Sequence, residues 1–322
     1  MTPQEAAARL REQDRILILT HRRPDGDTVG CAAGLCAALR QAGREAYILF
    51  NEEITESNRP YAAPYWAPEG YEASFVVSVD IAARQLFHGA SEVYLDRVDL
   101  AVDHHPSQEF FARETCLDAS RAACGEIVYE ICAALGEITP AVALPLYAAV
   151  STDTGCFVYA NTSANTHRVA AALMETGIDF FAVNKRHFRT KTKKRLQLEA
   201  DLIANMEFFH QGRGVFMTVS RALMARIGAS EDDAEDLSAL ATIVEGVDCG
   251  AVLRELRPDE WKLSLRTGDN GRVDASRACR LLGGGGHAMA AGATLEGSLE
   301  SVKRRVLEAI NSVCGEPGGT DA

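Results

Sequence analysis

Eight ionisable side chains gather at four places in the first half of the chain. His21, Asp25 and Asp27 lie in HRRPDGDTVG (21–30). Asp80 closes SFVVSVD (74–80). Asp103, His104 and His105 sit in AVDHHPSQ (101–108), and Asp153 is the third residue of STDTGCF (151–157). If the four places converge in space, their carboxylates would repel and raise one another's pKa values. Divalent cations remove the conflict. A mixed Asp/His set is a hard-to-borderline ligand field, suited to manganese and also to magnesium, iron, cobalt or zinc. Two such cations, about 3.5–4 Å apart, would suit phosphoryl transfer. Singly, each member has an ordinary use: Asp25-Gly26-Asp27 as a turn, Asp80 as a helix cap, Asp153 as a loop closure, His104-His105 as a surface or core pair. It is the joint pattern that points to a metal site.

A second set lies near the C-terminus. Arg266 stands at the end of the strand-like EWKLSLRT (260–267), where its guanidinium fork could grip a phosphate or carboxylate. Successive glycines at 283–286, followed by His287, would let the backbone approach an anion closely through its N–H groups.

These residues need elements to carry them. Strand-like runs occur at 15–20, 46–50, 74–80 and 98–104. Helical stretches separate most of them, at 29–42 and then at 120–135, 139–152 and 163–179. Buried-looking strands alternating with helices imply a parallel sheet covered on both faces. Ligands then bind outside the carboxyl ends of the strands, and three of the four clusters directly follow a strand. Residues 183–210 begin strongly basic and continue with helical periodicity, so they read as a connecting helix whose basic run is either a solvated face or the wall of a cleft. A second alternation follows: GVFMTVS as a strand, RALMARIG as a helix, an acidic helix over 230–241, a hairpin CGAVLRELRP–EWKLSLRT, the helix DASRACRLL, a loop GGGGH, a strand in AMAAGATLEG and a final helix over 298–314.

Composition narrows the field. The 322 residues, 47% hydrophobic and 24% charged, are those of a globular chain of two domains. No apolar run approaches the roughly 20 residues of a membrane span. The N-terminus has no signal-peptide core. Nine scattered Cys without a C-x-x-C pair read as reduced thiols in a cytoplasmic protein. A formal charge of −12 argues against broad binding to long nucleic acid, yet permits a small anionic substrate captured by metals and local Arg or Lys.

The motifs, in order and spacing, resemble those of the DHH phosphoesterase superfamily. HRRPDGDTVG is similar to its first motif, Asp80 after VVSV to its second, DHHP to its third and STDTGCF to its fourth. GGGGHAMAAG, with TIVEGVDCGAVLRE and WKLSLRT, resembles its DHH-associated domain. The resemblance spans about residues 10–312 and is nearest to the stand-alone bacterial nanoRNase and pAp-phosphatase group. It implies an α/β fold: an N-terminal DHH domain with a mainly parallel β-sheet flanked by helices (1–183), a helical linker (184–212), a smaller C-terminal α/β DHH-associated domain (213–316) and a frayed tail (317–322), with the active site in the inter-domain cleft. It implies two divalent metal ions per chain, manganese first, with His21 and Asp25 on one, Asp27, His104 and Asp153 on the other, and Asp80 bridging. Asp103 would orient a histidine, and His105 would approach a phosphate oxygen or the leaving group. Arg266, Gly284, Gly285, Gly286 and His287 would bind substrate. Thr267 departs from the Ser of many relatives but keeps a hydroxyl.

The activity implied is hydrolysis of very short oligoribonucleotides and linear dinucleotides (pApA, pGpG) to mononucleotides, and of pAp to AMP, by two-metal activation of water. The partners implied are short RNA, a dinucleotide or pAp, with no long double-stranded nucleic acid and no membrane; a homodimer is left open. Alternatives are a soluble cyclic-di-AMP phosphodiesterase, a RecJ-like single-strand exonuclease, disfavoured by the lack of room for an added nucleic-acid-binding domain, and a family II pyrophosphatase, disfavoured by GGGGH. A non-catalytic nucleotide-binding module is disfavoured by the intact ligand set.

Overall fold

The computed structural model describes residues 1–234, 237–241, 243–268 and 272–314. It divides into two compact units, Met1–Thr190 and the residues from Lys191 onward. The expected tail at 317–322 lies outside the described residues.

The first unit runs α1 (Pro3–Arg11), β1 (Ile16–Leu19), α2 (Gly26–Gln41), β2 (Ala46–Ile48), α3 (Arg59–Ala62), β3 (Phe75–Val79), β4 (Leu100–Asp103), β5 (Glu114–Leu117), α4 (Cys124–Leu135), α5 (Pro140–Asp153), α6 (Ala164–Glu175) and α7 (Phe180–Asn184). Its five strands form a sheet of order β2-β1-β3-β4-β5 in which every pairing is parallel. The short strand β5 was not anticipated from the sequence. The apolar runs are continuous because both faces are covered. Ile16 and Ile18 of β1 enter the main core with α2, α4 and α5, while Leu17 and Leu19 point the other way into a second cluster with Val76, Ile81, Phe87 and Val98.

Helix α2 lies close against α5. A Cβ on Gly30 would stand 2.3 Å from the Pro145 carbonyl oxygen and 2.8 Å from the Ala149 Cβ, and one on Gly26 would strike the Thr152 side chain. Glycine at these spacings lets the two backbones approach. The same approach brings the first turn of α2, with Asp27, beside the last turn of α5, with Asp153.

The second unit contains α8 (Lys193–Ala204), β6 (Glu207–Phe209), β7 (Gly214–Val219), α9 (Arg221–Ile227), β8 (Cys249–Arg257), β9 (Glu260–Thr267), α10 (Ala275–Leu281), β10 (Gly285–Gly286), β11 (Ala290–Glu296) and α11 (Leu299–Val313). Its sheet has the order β10-β11-β9-β8-β7-β6, with β7 and β8 parallel and the other pairs antiparallel. The β8–β9 hairpin is as expected. Its turn residue Asp259 takes a positive φ of 58°.

Three expectations change. The connecting helix over 183–210 is interrupted. After α7 the chain widens into a single π-type turn at Lys185–Arg189, and Thr192 then caps α8 by accepting from the Arg195 N–H. Crowded like charges and flanking threonines disfavour a continuous helix there. The segment also ends in β6, not in helix. The acidic helix over 230–241 is absent among the described residues, which instead form short 3-10 turns at Asp232–Ala234 and Leu237–Ala241. Asp233 accepts from the Ser230 N–H and hydroxyl, and such local bonds compete with a helical ladder. Finally, GGGGH is not a free loop, because Gly285 and Gly286 pair with Gly292 and Ala291 as β10.

Candidate metal centre

Each clustered side chain is set by the end of a regular element. His21 follows β1, and Asp25 is the N-cap of α2, its carboxylate accepting from the backbone N–H groups of Asp27 and Thr28. Asp27, in the first turn of α2, is buried. One of its oxygens accepts from the Cys124 N–H at 2.7 Å, the other from the Gly125 N–H at 2.9 Å, so the start of α4 holds this carboxylate still. Asp80 ends β3 in a left-handed conformation, φ 59°. That region is uncommon for non-glycine residues, and Asp and Asn are among the side chains that tolerate it best. Asp153 is the last residue of α5, and a left-handed turn at Gly155, Cys156 and Phe157 follows it. A carboxylate at a helix C-terminus faces the negative end of the helix dipole, which a nearby cation would offset.

The histidines are fixed by their second nitrogens. His21 Nδ1 lies 2.7 Å from the Arg22 carbonyl and His104 Nδ1 lies 3.1 Å from the Arg121 carbonyl. A carbonyl only accepts, so Nδ1 carries a proton, and Nε2 of the neutral ring is the nitrogen left to bind a metal. His105 is turned the other way. Its Nδ1 donates to Asp103 Oδ1 at 2.8 Å. Asp103 is fully buried and also accepts from the His104 N–H at 2.8 Å and from Gln108 Nε2 at 2.6 Å.

The ligand atoms fall into groups lying within 4.8 Å of one another: His21, Asp25 and Asp80; Asp27, His104 and Asp153; and Asp80, His104 and His105. Asp80 joins them. Its Oδ2 stands 3.7 Å from His21 Nε2, and its Oδ1 stands 3.5 Å from His104 Nε2 and 3.4 Å from His105 Nδ1. His104 Nε2 is 3.6 Å from Asp153 Oδ2 and 3.9 Å from Asp27 Oδ2. These separations are too long for hydrogen bonds. Asp80 Oδ1 is buried with no hydrogen-bond partner. A buried, unpartnered carboxylate oxygen is costly by itself, so these residues fit a divalent cation better than they fit each other.

The electrostatics agree. Burial first, and then mutual repulsion among Asp27, Asp80 and Asp25, pushes the carboxyls of Asp27, Asp80 and Asp153 upward. Burial works against a charged His105, but its bond to Asp103 and the nearby Asp80 lift it to about 9.

All eight clustered residues of the first half thus meet at one edge of the parallel sheet. Arg266, the glycines and His287 belong to the second unit. On β9 the residues Trp261, Leu263, Leu265 and Thr267 are buried, and Arg266 alternates with them. The Thr267 hydroxyl donates to the Ala288 carbonyl at 3.3 Å, which gives the hydroxyl at this position a structural task. Several of the glycine-segment donors are used inside the fold: the Gly283 N–H goes to the Arg280 carbonyl, Gly284 to Cys279 and His287 to Ala290. A Cβ on Gly284 would stand 2.1 Å from the Gly292 carbonyl oxygen, so close strand approach alone requires glycine there. Sequence reasoning missed Gln108 and Arg121. Gln108 had a signal, lying just past DHHP; a contact made by the Arg121 backbone carbonyl has none.

Comparison with known proteins gives this arrangement a family. Residues 15–150 match the DHH family, N-terminal domain, and residues 219–316 match the DHHA1 domain. The chain is 33% identical over 303 residues to the bifunctional oligoribonuclease and PAP phosphatase NrnA of Thermus thermophilus, covering 92% of this chain and 89% of that one. It is 23% identical over 322 residues to the protein of the same description from Bacillus subtilis, covering 94% and 96%. An exopolyphosphatase-related protein from Bacteroides fragilis shares the fold, with a TM-score of 0.85 at 21% identity over 96% of both chains. Among the described residues no helix is long and apolar enough to cross a membrane, and all nine cysteines are free. An acidic, histidine-lined edge of a parallel sheet and a matching second domain have one source: the chain belongs to the DHH/DHHA1 family and is a phosphoesterase.

Proposed function

We propose that the protein is a manganese-dependent phosphoesterase that hydrolyses very short oligoribonucleotides and linear dinucleotides such as pApA and pGpG to mononucleotides, and pAp to AMP. The observation that carries this reading is the pair of ligand groups meeting at Asp80, in a chain one-third identical along nearly its full length to an oligoribonuclease and PAP phosphatase. His21 and Asp25 would hold one cation, Asp27, His104 and Asp153 the other, with Asp80 shared. When bound, two divalent cations activate water and neutralise charge on the phosphoryl oxygens.

The chain's own residues do the rest. The start of α4 keeps Asp27 in place, and the carbonyls of Arg22 and Arg121 keep the two Nε2 atoms turned inward. His105, charged near neutral pH and held by Asp103, can approach a phosphate oxygen or give a proton to the leaving oxygen. Arg266 and His287, beside the side-chain-free Gly284, Gly285 and Gly286, would bind the substrate's terminal phosphate.

A side-by-side assay tests the reading. The purified protein, stripped with chelator and reloaded with manganese, is given pApA, pGpG, a short RNA, a long RNA, pAp and cyclic-di-AMP. Initial rates should be highest on the linear dinucleotides and appreciable on pAp. Turnover confined to cyclic-di-AMP or to long RNA would overturn it.

A further inference from the structure

A cavity of about 200 Å³ opens at the carboxyl ends of β1 and β2, walled in part by Thr20, Leu49, Phe50, Asn51, Glu52 and His88. It shares a wall with the metal centre. Thr20 directly precedes His21, and the Asn51 amide donates at 3.1 Å both to the Thr20 hydroxyl and to the His21 carbonyl. Asn51 Oδ1 in turn accepts from the Glu53 N–H, so this wall is rigid.

Three features define what would enter. The volume lies below the 300–1,000 Å³ of drug-sized sites and suits one flat ring system, not a dinucleotide. Phe50 supplies an aromatic ring: it makes a T-shaped contact with Trp66 at 4.9 Å and 84°, while the residue stays 49% exposed. An exposed aromatic ring lining a cavity can stack on a base. Glu52 is the one carboxylate among the lining residues, and the lining His88 has its Nε2 3.6 Å from Glu53 Oε1. Carboxylates repel a phosphate but accept from an N–H donor.

We propose that this cavity is a subsite for a nucleobase bearing an exocyclic amine, stacked on Phe50 with its amino edge toward Glu52. The inference rests on the reading that the substrate is a nucleotide ester, and it adds where one base is held: on the first unit, beside the His21 ligand. The subsite favours adenine, guanine or cytosine over uracil, because uracil has no exocyclic amine and its N3–H is flanked by two carbonyl oxygens that repel the Glu52 carboxylate.

The test separates binding from turnover. The chain has two tryptophans, Trp66 and Trp261. In manganese-loaded Trp261→Phe protein, emission comes from Trp66, whose ring touches Phe50. Adenosine carries no phosphate and so does not report on the metals. It should change this emission saturably, and uridine should do so at least several-fold more weakly. Phe50→Ala should abolish the response and raise KM for pApA about tenfold, with metal content unchanged, whereas Phe50→Tyr should restore both. Glu52→Leu, which offers no acceptor, should erase the preference for adenosine over uridine. No response to adenosine, or one that survives Phe50→Ala, overturns the subsite. Equal responses to adenosine and uridine overturn the amine contact. If adenosine binds as expected yet no nucleotide ester is hydrolysed, the subsite stands and the proposed reaction falls.

Discussion

A single oxygen of the buried Asp103, Oδ1, accepts both from His105 Nδ1 at 2.8 Å and from the His104 backbone N–H at 2.8 Å. One carboxylate therefore sets two neighbouring histidines to different tasks. It fixes the backbone that aims His104 Nε2 into the ligand group, and it binds the imidazole of His105 through the nitrogen a metal would otherwise use.

The two histidines should respond differently to removal. His104→Ala is expected to lose one metal of two, and His105→Ala to keep two and turn over slowly. Asp103→Asn removes the charge that holds His105 at about 9. It should lower kcat about 10- to 100-fold with little loss of metal, and it should move the alkaline limb of the pH–rate profile downward. Elemental analysis with pH–rate profiles decides this; equal metal loss from the two histidine variants would refute the division.

Asp80 should be dispensable for folding and indispensable for activity. Asp80→Ala should leave less than a tenth of wild-type rate at saturating manganese. Asp80→Asn keeps a residue type that tolerates φ 59° and removes a buried, unpartnered charge. The metal-free Asn variant should therefore melt several degrees higher than metal-free wild type, while the stabilisation added by manganese shrinks. Calorimetry with and without chelator measures both; a lower Tm in the metal-free variant would contradict the account.

Metal-free protein should lose stability as pH rises. A carboxyl raised in the folded state binds its proton more tightly there than in the unfolded chain. Its contribution is full below the ordinary value of 3.8 and is lost as pH climbs through the folded value. His105, raised from 6.5 to about 9, acts in the same sense at higher pH. Between about pH 4 and 9 these groups make the chelated protein progressively less stable, and the Tm gained on adding manganese should widen. Asp27→Asn should flatten the slope. Thermal melts across that range provide the readout.

The α2–α5 contact should be intolerant of a single methyl group. Gly30→Ala places a Cβ against the Pro145 carbonyl and Ala149. Overpacking of this kind costs about 1–3 kcal/mol, and it would move Asp27 relative to Asp153. The expected result is a Tm lower by several degrees together with weaker manganese binding by titration. A stability loss with unchanged affinity would show that the helices shift without moving the site.

Arg266→Ala should separate binding from chemistry. Loss of a charge-assisted pair on phosphate, about 1.5–3 kcal/mol per bond, predicts a roughly 10- to 100-fold lower kcat/KM on dinucleotides. Hydrolysis of bis-p-nitrophenyl phosphate should fall far less. Equal losses on both substrates would mean that Arg266 acts on the chemistry or the fold.

What the sequence determined by itself is the chemistry of the parts. The continuous apolar runs required a parallel sheet, because strands covered on both faces have no polar side to show. The ionisable residues stood where those strands had to end, so a site at the carboxyl edge was legible before any coordinates. The alternation in EWKLSLRT likewise marked the β9 hairpin strand. What only the tertiary structure decided depends on close approach and on backbone atoms. The glycines that let α2 settle on α5, the amides of Cys124 and Gly125 on Asp27, and the Arg121 carbonyl behind His104 act through distances between segments far apart in the chain. No side-chain pattern encodes which carbonyl will face which imidazole. The same holds for GGGGH. Its composition reads as a loop, yet its glycines pair with β11, because hydrogen bonding to a neighbouring strand satisfies backbone groups that the chain alone would leave to water.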